Sequence, residues 1–141
     1  MFKQYGLVAA TTLCAATNAM AADLTVRISG ITSTAGEIFV ALHDGAEGFP
    51  RDRKMVEGKR SVADPAGVTV VFTGLAAGDY AIAAFYDEDG DGELSTNLVG
   101  MPQEPFGFSQ DARGSFGPPK FADAAVTVGA AGASTSITLA K

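Results

Sequence analysis

The residues of this chain best suited to chemistry lie in one stretch, Asp87-Glu88-Asp89-Gly90-Asp91-Gly92-Glu93, which carries five carboxylates and is followed by no base before Arg113. Asp87, Asp89, Asp91 and Gly92 match positions 1, 3, 5 and 6 of a calcium half-loop, in which alternate side-chain oxygens converge and the glycine permits a sharp turn. In that scheme Glu93 adds its backbone carbonyl and Ser95 holds a water. Hard oxygen donors select calcium or magnesium over softer metals, and this many carboxylates favours calcium. The shell is incomplete, because Leu98 stands at position 12, where a full loop places a bidentate Glu. Glu104 is the nearest acid able to complete it, if the chain folds back through Pro102. The competing reading is a charged hairpin end, whose aspartates bond local backbone amides while Gly90 and Gly92 supply positive φ.

A second candidate follows directly. The segment from Leu98 to Phe121 is rich in glycine, proline and phenylalanine, with Phe106, Phe108, Phe116 and Phe121 spaced along it. Long loops of this kind either cover part of a core or form a binding surface. As a cover, the rings plug one end or edge of the fold. As a groove, with Glu104, Phe106, Phe108 and Phe116 as the ligand-binding set beside the acidic turn, they suit a sugar, a peptide or a small cation.

Other chemistries find little purchase. His43 is the only histidine, which excludes zinc sites built on two or three of them. Ser109 lies in Gly-Phe-Ser-Gln-Asp, which lacks the second glycine of a nucleophile elbow. Neither a phosphate loop nor a dinucleotide fingerprint occurs. Asp87 and Glu104 together offer the acid and base of a small carboxylate hydrolase acting on an envelope glycoside, which is the alternative to a non-catalytic module. Arg51, Arg53, Lys54, Lys59 and Arg60 cluster, but Asp52 and Glu57 are interspersed, as on a solvated loop.

The amino terminus reads as a targeting segment. Lys3, the apolar run Leu7 to Ala16 and the small-x-small site Ala19-Met20-Ala21 form the pattern of a secretory signal peptide, residues 1–21, with cleavage after Ala21. The apolar run is too short for a membrane anchor, so no stable insertion is expected after cleavage. Cys14 is the only cysteine and falls inside this segment, so residues 22–141 are expected to have no disulfide, thiolate site or cysteine nucleophile. Without Lys3, nine bases face 16 acids and the formal charge moves from -6 to -7. That balance opposes nucleic-acid binding. The expected location is periplasmic or secreted.

Positioning these residues requires a sheet framework, and the rest of the sequence supplies one of single-domain size. Leu24-Thr25-Val26-Arg27-Ile28-Ser29 alternates apolar with polar, and Glu37 to His43 places Ile38, Val40 and Leu42 on one face with Phe39, Ala41 and His43 on the other. These two runs read as a hairpin. Asp44 to Val62 reads as an irregular region with a local turn or helix near Lys54 to Gly58. Val68 to Thr73 is a β-branched strand, Gly74 to Asp79 a turn, and Tyr80 to Tyr86 a central strand so apolar that both of its faces must be covered. Ala125 to Val128 and Ser136 to Leu139 read as a strand pair across Gly129 to Ala133. The expectation is all-β: a single antiparallel β-sandwich of about seven strands, prealbumin-like or immunoglobulin-like.

Gly74-Leu75, Gly78, Tyr80-Ala81-Ile82, Phe85 and Asp87 to Gly92, then Gly100, Pro102, Glu104 and Phe106 to Ser109, then Pro118-Pro119, Phe121 and Ala124 form a spaced pattern. It resembles the DUF2141 family of exported bacterial proteins over nearly all of residues 22–141, and is generally similar to prealbumin-like and carboxypeptidase-regulatory-like sandwiches. Ser95 departs from it, standing where the family often has Asp. The resemblance implies one sandwich outside the cytoplasm and no established activity. The functional expectation is a non-catalytic exported module with a calcium site, binding a ligand or protein partner at the cell envelope.

Overall fold

The structure, a computed structural model, describes residues 21–51, 54–90, 92 and 102–141. Residues 1–20, with Cys14 and all but the last residue of the expected signal peptide 1–21, lie outside the described residues.

Eight strands build two packed sheets: β1 (Ala22–Ser29), β2 (Glu37–His43), β3 (Glu57–Val62), β4 (Val68–Leu75), β5 (Gly78–Asp87), β6 (Phe106–Phe108), β7 (Val126–Val128) and β8 (Ala133–Thr138). One sheet has the order β4-β1-β8; the other runs β3-β2-β5-β6, with β7 also on β5. Period-two alternation decides what goes between them. Leu24, Val26 and Ile28 of β1 meet Ile38, Val40 and Leu42 of β2, Val70 and Phe72 of β4, Ile82 and Tyr86 of β5, and Ile137 of β8 in one core. The fold is therefore the expected all-β sandwich, and its eight strands among the described residues agree with the expected number.

Four local expectations are corrected, the first being that the region Asp44 to Val62, expected to be irregular, ends in strand β3 paired with β2. β1 and β2 form no hairpin: β1 pairs with β4 and β8, while β2 pairs with β3 and β5. Alternation had identified their inward faces correctly, but a pattern of faces does not name a partner. Similarly, β7 lies on β5 and β8 on β1, so only a bridge between Gly129 and Gly132 closes the turn between them. The β1–β8 ladder is also parallel, so the sandwich is not wholly antiparallel.

Individual hydrogen bonds tie the edges of the two sheets together. On one side, the Lys59 ammonium of edge strand β3 donates to the Val71 carbonyl of edge strand β4 at 2.8 Å. On the other, Phe106 and Ala140 exchange backbone hydrogen bonds of 3.0 and 3.1 Å, tying β6 to the chain beyond β8. A 3-10 turn, Ser109–Asp111, closes the same side. There Gln110 N–H donates to Thr135 Oγ1 at 3.1 Å, and Asp111 Oδ1 accepts the Thr138 N–H at 2.7 Å.

β5 is the strand that positions the site. β2 lies along one of its edges, while β6 and β7 share the other, β6 opposite Ala83–Phe85 and β7 opposite Gly78–Tyr80. Between them the Ile82 N–H donates to the Ser109 hydroxyl at 2.9 Å, and that hydroxyl donates to the Ala124 carbonyl at 2.5 Å. Ser109 is thus a buried structural link, consistent with its lack of a nucleophile motif.

Candidate functional site

Two features meet at the end of β5. Asp87 is its last residue, and there the chain turns through Glu88-Asp89-Gly90. Gly90 (φ 74°) and Gly92 (φ 77°) occupy the left-handed region, and their N–H groups donate to Asp87 Oδ1 at 2.9 Å and Oδ2 at 2.8 Å. Both glycines are required there, since a side chain in that conformation is strained. The loop before β2 braces the turn from behind, held by the Tyr86 hydroxyl, which donates to the Ala35 carbonyl and bonds Ser33 Oγ at 2.8 Å.

Glu104 reaches the same point from the other direction. The Tyr86 N–H donates to the Pro105 carbonyl at 2.8 Å, which carries the chain antiparallel past the end of β5. Glu104 Oε2 then accepts the Glu88 N–H at 2.6 Å. One carboxylate oxygen each from Asp87, Asp89 and Glu104 lies within 4.8 Å of the other two. Asp87 is only 2% exposed and Glu104 4%, while Asp89 is exposed. Of the expected metal ligands, Asp87 and Asp89 come together, and Glu104, expected to bind ligand or to complete the shell, joins them. Asp91, Glu93 and Ser95 lie outside the described residues.

The donor set fits a hard divalent cation. It is oxygen-only, and each carboxylate oxygen has a second lone pair, so accepting a backbone N–H does not stop Asp87 or Glu104 from ligating an ion. The same bonds also make the charged-turn reading correct as far as it goes: the aspartate does cap its own turn. Two buried carboxylates this close repel each other, and a cation between them removes that cost.

The second feature lies on the outer face of the larger sheet. Register places Phe39 of β2 opposite Phe85 of β5, and Phe85 opposite Phe106 of β6. The Phe39 and Phe85 ring centroids are 5.3 Å apart, and those of Phe106 and Phe108 are 5.9 Å apart. A groove of about 100 Å³ is walled by Phe39, Phe85, Phe106 and Phe108 and lined also by Pro50, Ala83 and Ala84. Asp87 and Glu104 sit two residues beyond Phe85 and Phe106 along their chains, so the acids stand at the head of the groove.

The plug and groove readings therefore divide the phenylalanines between them. Phe108 is buried and packs with Ala81, Ala124, Phe49 and Phe121, covering the outer face of β5. Phe106 is half-buried and forms a wall. Phe116, expected with them, is fully exposed and lines no part of the groove. Sequence reasoning missed Phe39 and Phe85 as groove residues. Alternation had already put Phe39 on the second face of β2, and a register between β2 and β5 would have added Phe85.

The remaining candidates resolve plainly. The His43 ring is buried with its plane edge-on to Phe49 at 5.2 Å, in the packing beneath the irregular loop. In the basic cluster, Lys54, Lys59 and Arg60 lie 3.8, 3.8 and 3.6 Å from Glu47, Glu57 and Glu37, as a solvated face would have it. Arg60 also covers the Phe39 ring at 5.6 Å. Among the described residues no helix is long and apolar enough to cross a membrane.

The chain matches no curated protein and no solved structure. Residues 26–137, which include most of both sheets, the acidic turn and the groove, match the family described as an uncharacterized protein conserved in bacteria, and the chain belongs to that family, DUF2141.

Proposed function

We propose that this chain is an exported, non-catalytic β-sandwich module that acts at the cell envelope, periplasmic or secreted. In this reading the turn at Asp87, Asp89 and Glu104 holds calcium, and the adjoining aromatic groove takes a ligand or partner. The observation that carries it is the meeting of three carboxylates, two of them buried, at the head of a groove walled by four phenylalanines. The carboxylates supply hard oxygen donors. The rings supply apolar faces on which a sugar, a peptide side chain or a cation stacks. Asp91, Glu93 and Ser95 retain the roles their spacing suggests, as a further ligand, a carbonyl donor and a water holder.

A hydrolase built on Asp87 and Glu104 has less support. Both carboxylates are almost wholly buried, which leaves a glycosidic oxygen little access to them, and both oxygens of Asp87 already accept backbone N–H bonds. Export rests on the amino-terminal pattern, and cleavage after Ala21 would release β1 at its start.

Equilibrium dialysis of metal-stripped protein against calcium tests the site. One ion per chain is expected, weakened at least tenfold in Glu104→Gln, since that change keeps an acceptor for the Glu88 N–H and removes a charge. No bound calcium in the wild type refutes the metal half. Hydrolysis of an envelope glycan that is lost in Glu104→Gln refutes the non-catalytic half.

A further inference from the structure

Phe116 stands wholly clear of the surface, 106% exposed, and no other described aromatic does so. It occupies the apex of the loop between the 3-10 turn and α1 (Phe121–Ala124). The loop does not trail freely. Its feet, Ala112 and Phe121, pack into the cluster that contains Phe106 and Phe108. At its neck Gly114 presses against the Gly117 carbonyl and the Pro118 backbone so closely that no side chain fits at 114. Pro118 and Pro119 stiffen the return strand, and Pro119 is buried. Arg113 and Lys120 flank the apex, both exposed, and neither side chain makes an ion pair or hydrogen bond with a described residue.

The chain therefore carries an aromatic knob with two cations at its base and, beside it, an aromatic groove with carboxylates at its head. The groove, at about 100 Å³, is of the order of the space one benzene-sized ring fills. Among the described residues Asp87, Glu88, Asp89 and Glu104 bring four carboxylates to this end, and the one base against the turn, Arg60 beside Gly92, is itself paired with Glu37 at 3.6 Å, so even a bound calcium leaves this end negative. One molecule thus carries both a ring of that size with two cations and a groove of that size beside carboxylates. The feet of the knob adjoin the wall of the groove, so a twofold arrangement with each knob in the other copy's groove would close the contact as an isologous pair.

We propose that the occupant of the groove is the Phe116 loop of a second copy of this chain, with Arg113 and Lys120 facing the partner's acidic turn. This names the partner for the groove and rests on reading that groove as a binding surface. The contact is small, one ring and two cations each way. The expected dissociation constant is therefore weak, about 100 µM, and it rises with salt.

Sedimentation velocity across about 10 to 500 µM reads it directly, on either side of that constant. Wild type is expected to shift from monomer to dimer. Phe116→Ser removes two buried rings per dimer and raises the constant about a hundredfold, and Arg113→Glu with Lys120→Glu abolishes the shift. Phe116→Trp introduces the only tryptophan in the chain, and its emission is expected to move to shorter wavelength as concentration rises. A wild type that stays monomeric at the highest concentration overturns the proposal, as does Phe116→Ser associating like wild type. A tryptophan already shielded in dilute monomer assigns the knob to its own groove and also overturns it. So does a shift seen on phosphatidylglycerol vesicles but not on concentration, which makes the loop a membrane contact. Ala83→Leu separates the two levels: loss of dimer there, with Phe116→Ser unaffected, removes the knob but keeps the groove. Calcium dialysis on the same samples reports the acidic half independently.

Discussion

Glu104→Gln should invert its effect on stability when calcium is added. In chelator, the wild type holds the buried carboxylates of Asp87 and Glu104 within 4.8 Å of each other. Two unit charges at that distance repel by about 3 kcal/mol at an effective dielectric of about 20, and the true cost is lower where solvent reaches the turn. Gln keeps an oxygen able to accept the Glu88 N–H and removes the charge, so the variant should melt no lower than wild type, and by up to several degrees higher. Calcium reverses the order. For a site of weak extracellular affinity, about 0.1 to 1 mM, about 10 mM calcium adds about 1.4 to 2.7 kcal/mol by mass action. That raises the melting temperature of a domain this size by about 5 to 10 °C, and Glu104→Gln should lose most of the rise. Differential scanning fluorimetry of both proteins, stripped of metal and then run with chelator, calcium and magnesium, gives all six curves. Magnesium should raise the wild type less, because its strict octahedral shell fits a shared, partly hydrogen-bonded donor set poorly. Superimposable wild-type curves in calcium and chelator, or an equal calcium shift in the variant, refute the reasoning.

Further expectations follow from the packing around the site. Ser109→Ala leaves the buried Ile82 N–H and Ala124 carbonyl without their link and should cost about 2 to 4 kcal/mol in urea unfolding. Phe108→Ala empties the cluster on the outer face of β5 and should cost about 3 to 5 kcal/mol, whereas Phe116→Ala should stay within about 0.5 kcal/mol of wild type at monomer concentrations. Tyr86→Phe removes the hydroxyl that holds Ser33 and Ala35 and should lower stability by about 1 to 2 kcal/mol, with calcium affinity falling as the brace behind the turn loosens.

Some of this architecture was legible in the residues and some was not, for identifiable reasons. The inward faces of β1, β2, β4 and β5 follow from period-two alternation, and the core contains the residues it names. Partners do not follow, because alternation at Ile28 and Ile38 is the same whether the intervening turn closes a hairpin or crosses between sheets. The crossing is held by the Tyr86 hydroxyl, far away in sequence. β3 went unseen because Glu57-Gly58-Lys59-Arg60-Ser61-Val62 contains one strong strand former. It exists because β2 offers it a ladder from Leu42 to Glu37. β6 is three residues long, and Phe106-Gly107-Phe108 reads as loop until β5 is placed beside it. At the site, Asp87 and Asp89 were visible from spacing. Glu104 was visible only as the nearest available acid, since nothing local places it within 4.8 Å of Asp87 and Asp89. The Phe39–Phe85–Phe106 row needed two registers that no single strand contains.

The central claim is that the oxygens of Asp87, Asp89 and Glu104 share one cation. A crystal grown in calcium and measured at a wavelength where calcium scatters anomalously tests it most directly. The account predicts a single peak within about 2.6 Å of an oxygen from each of the three side chains. An ordered turn holding only water there, at a calcium concentration well above 1 mM, contradicts it.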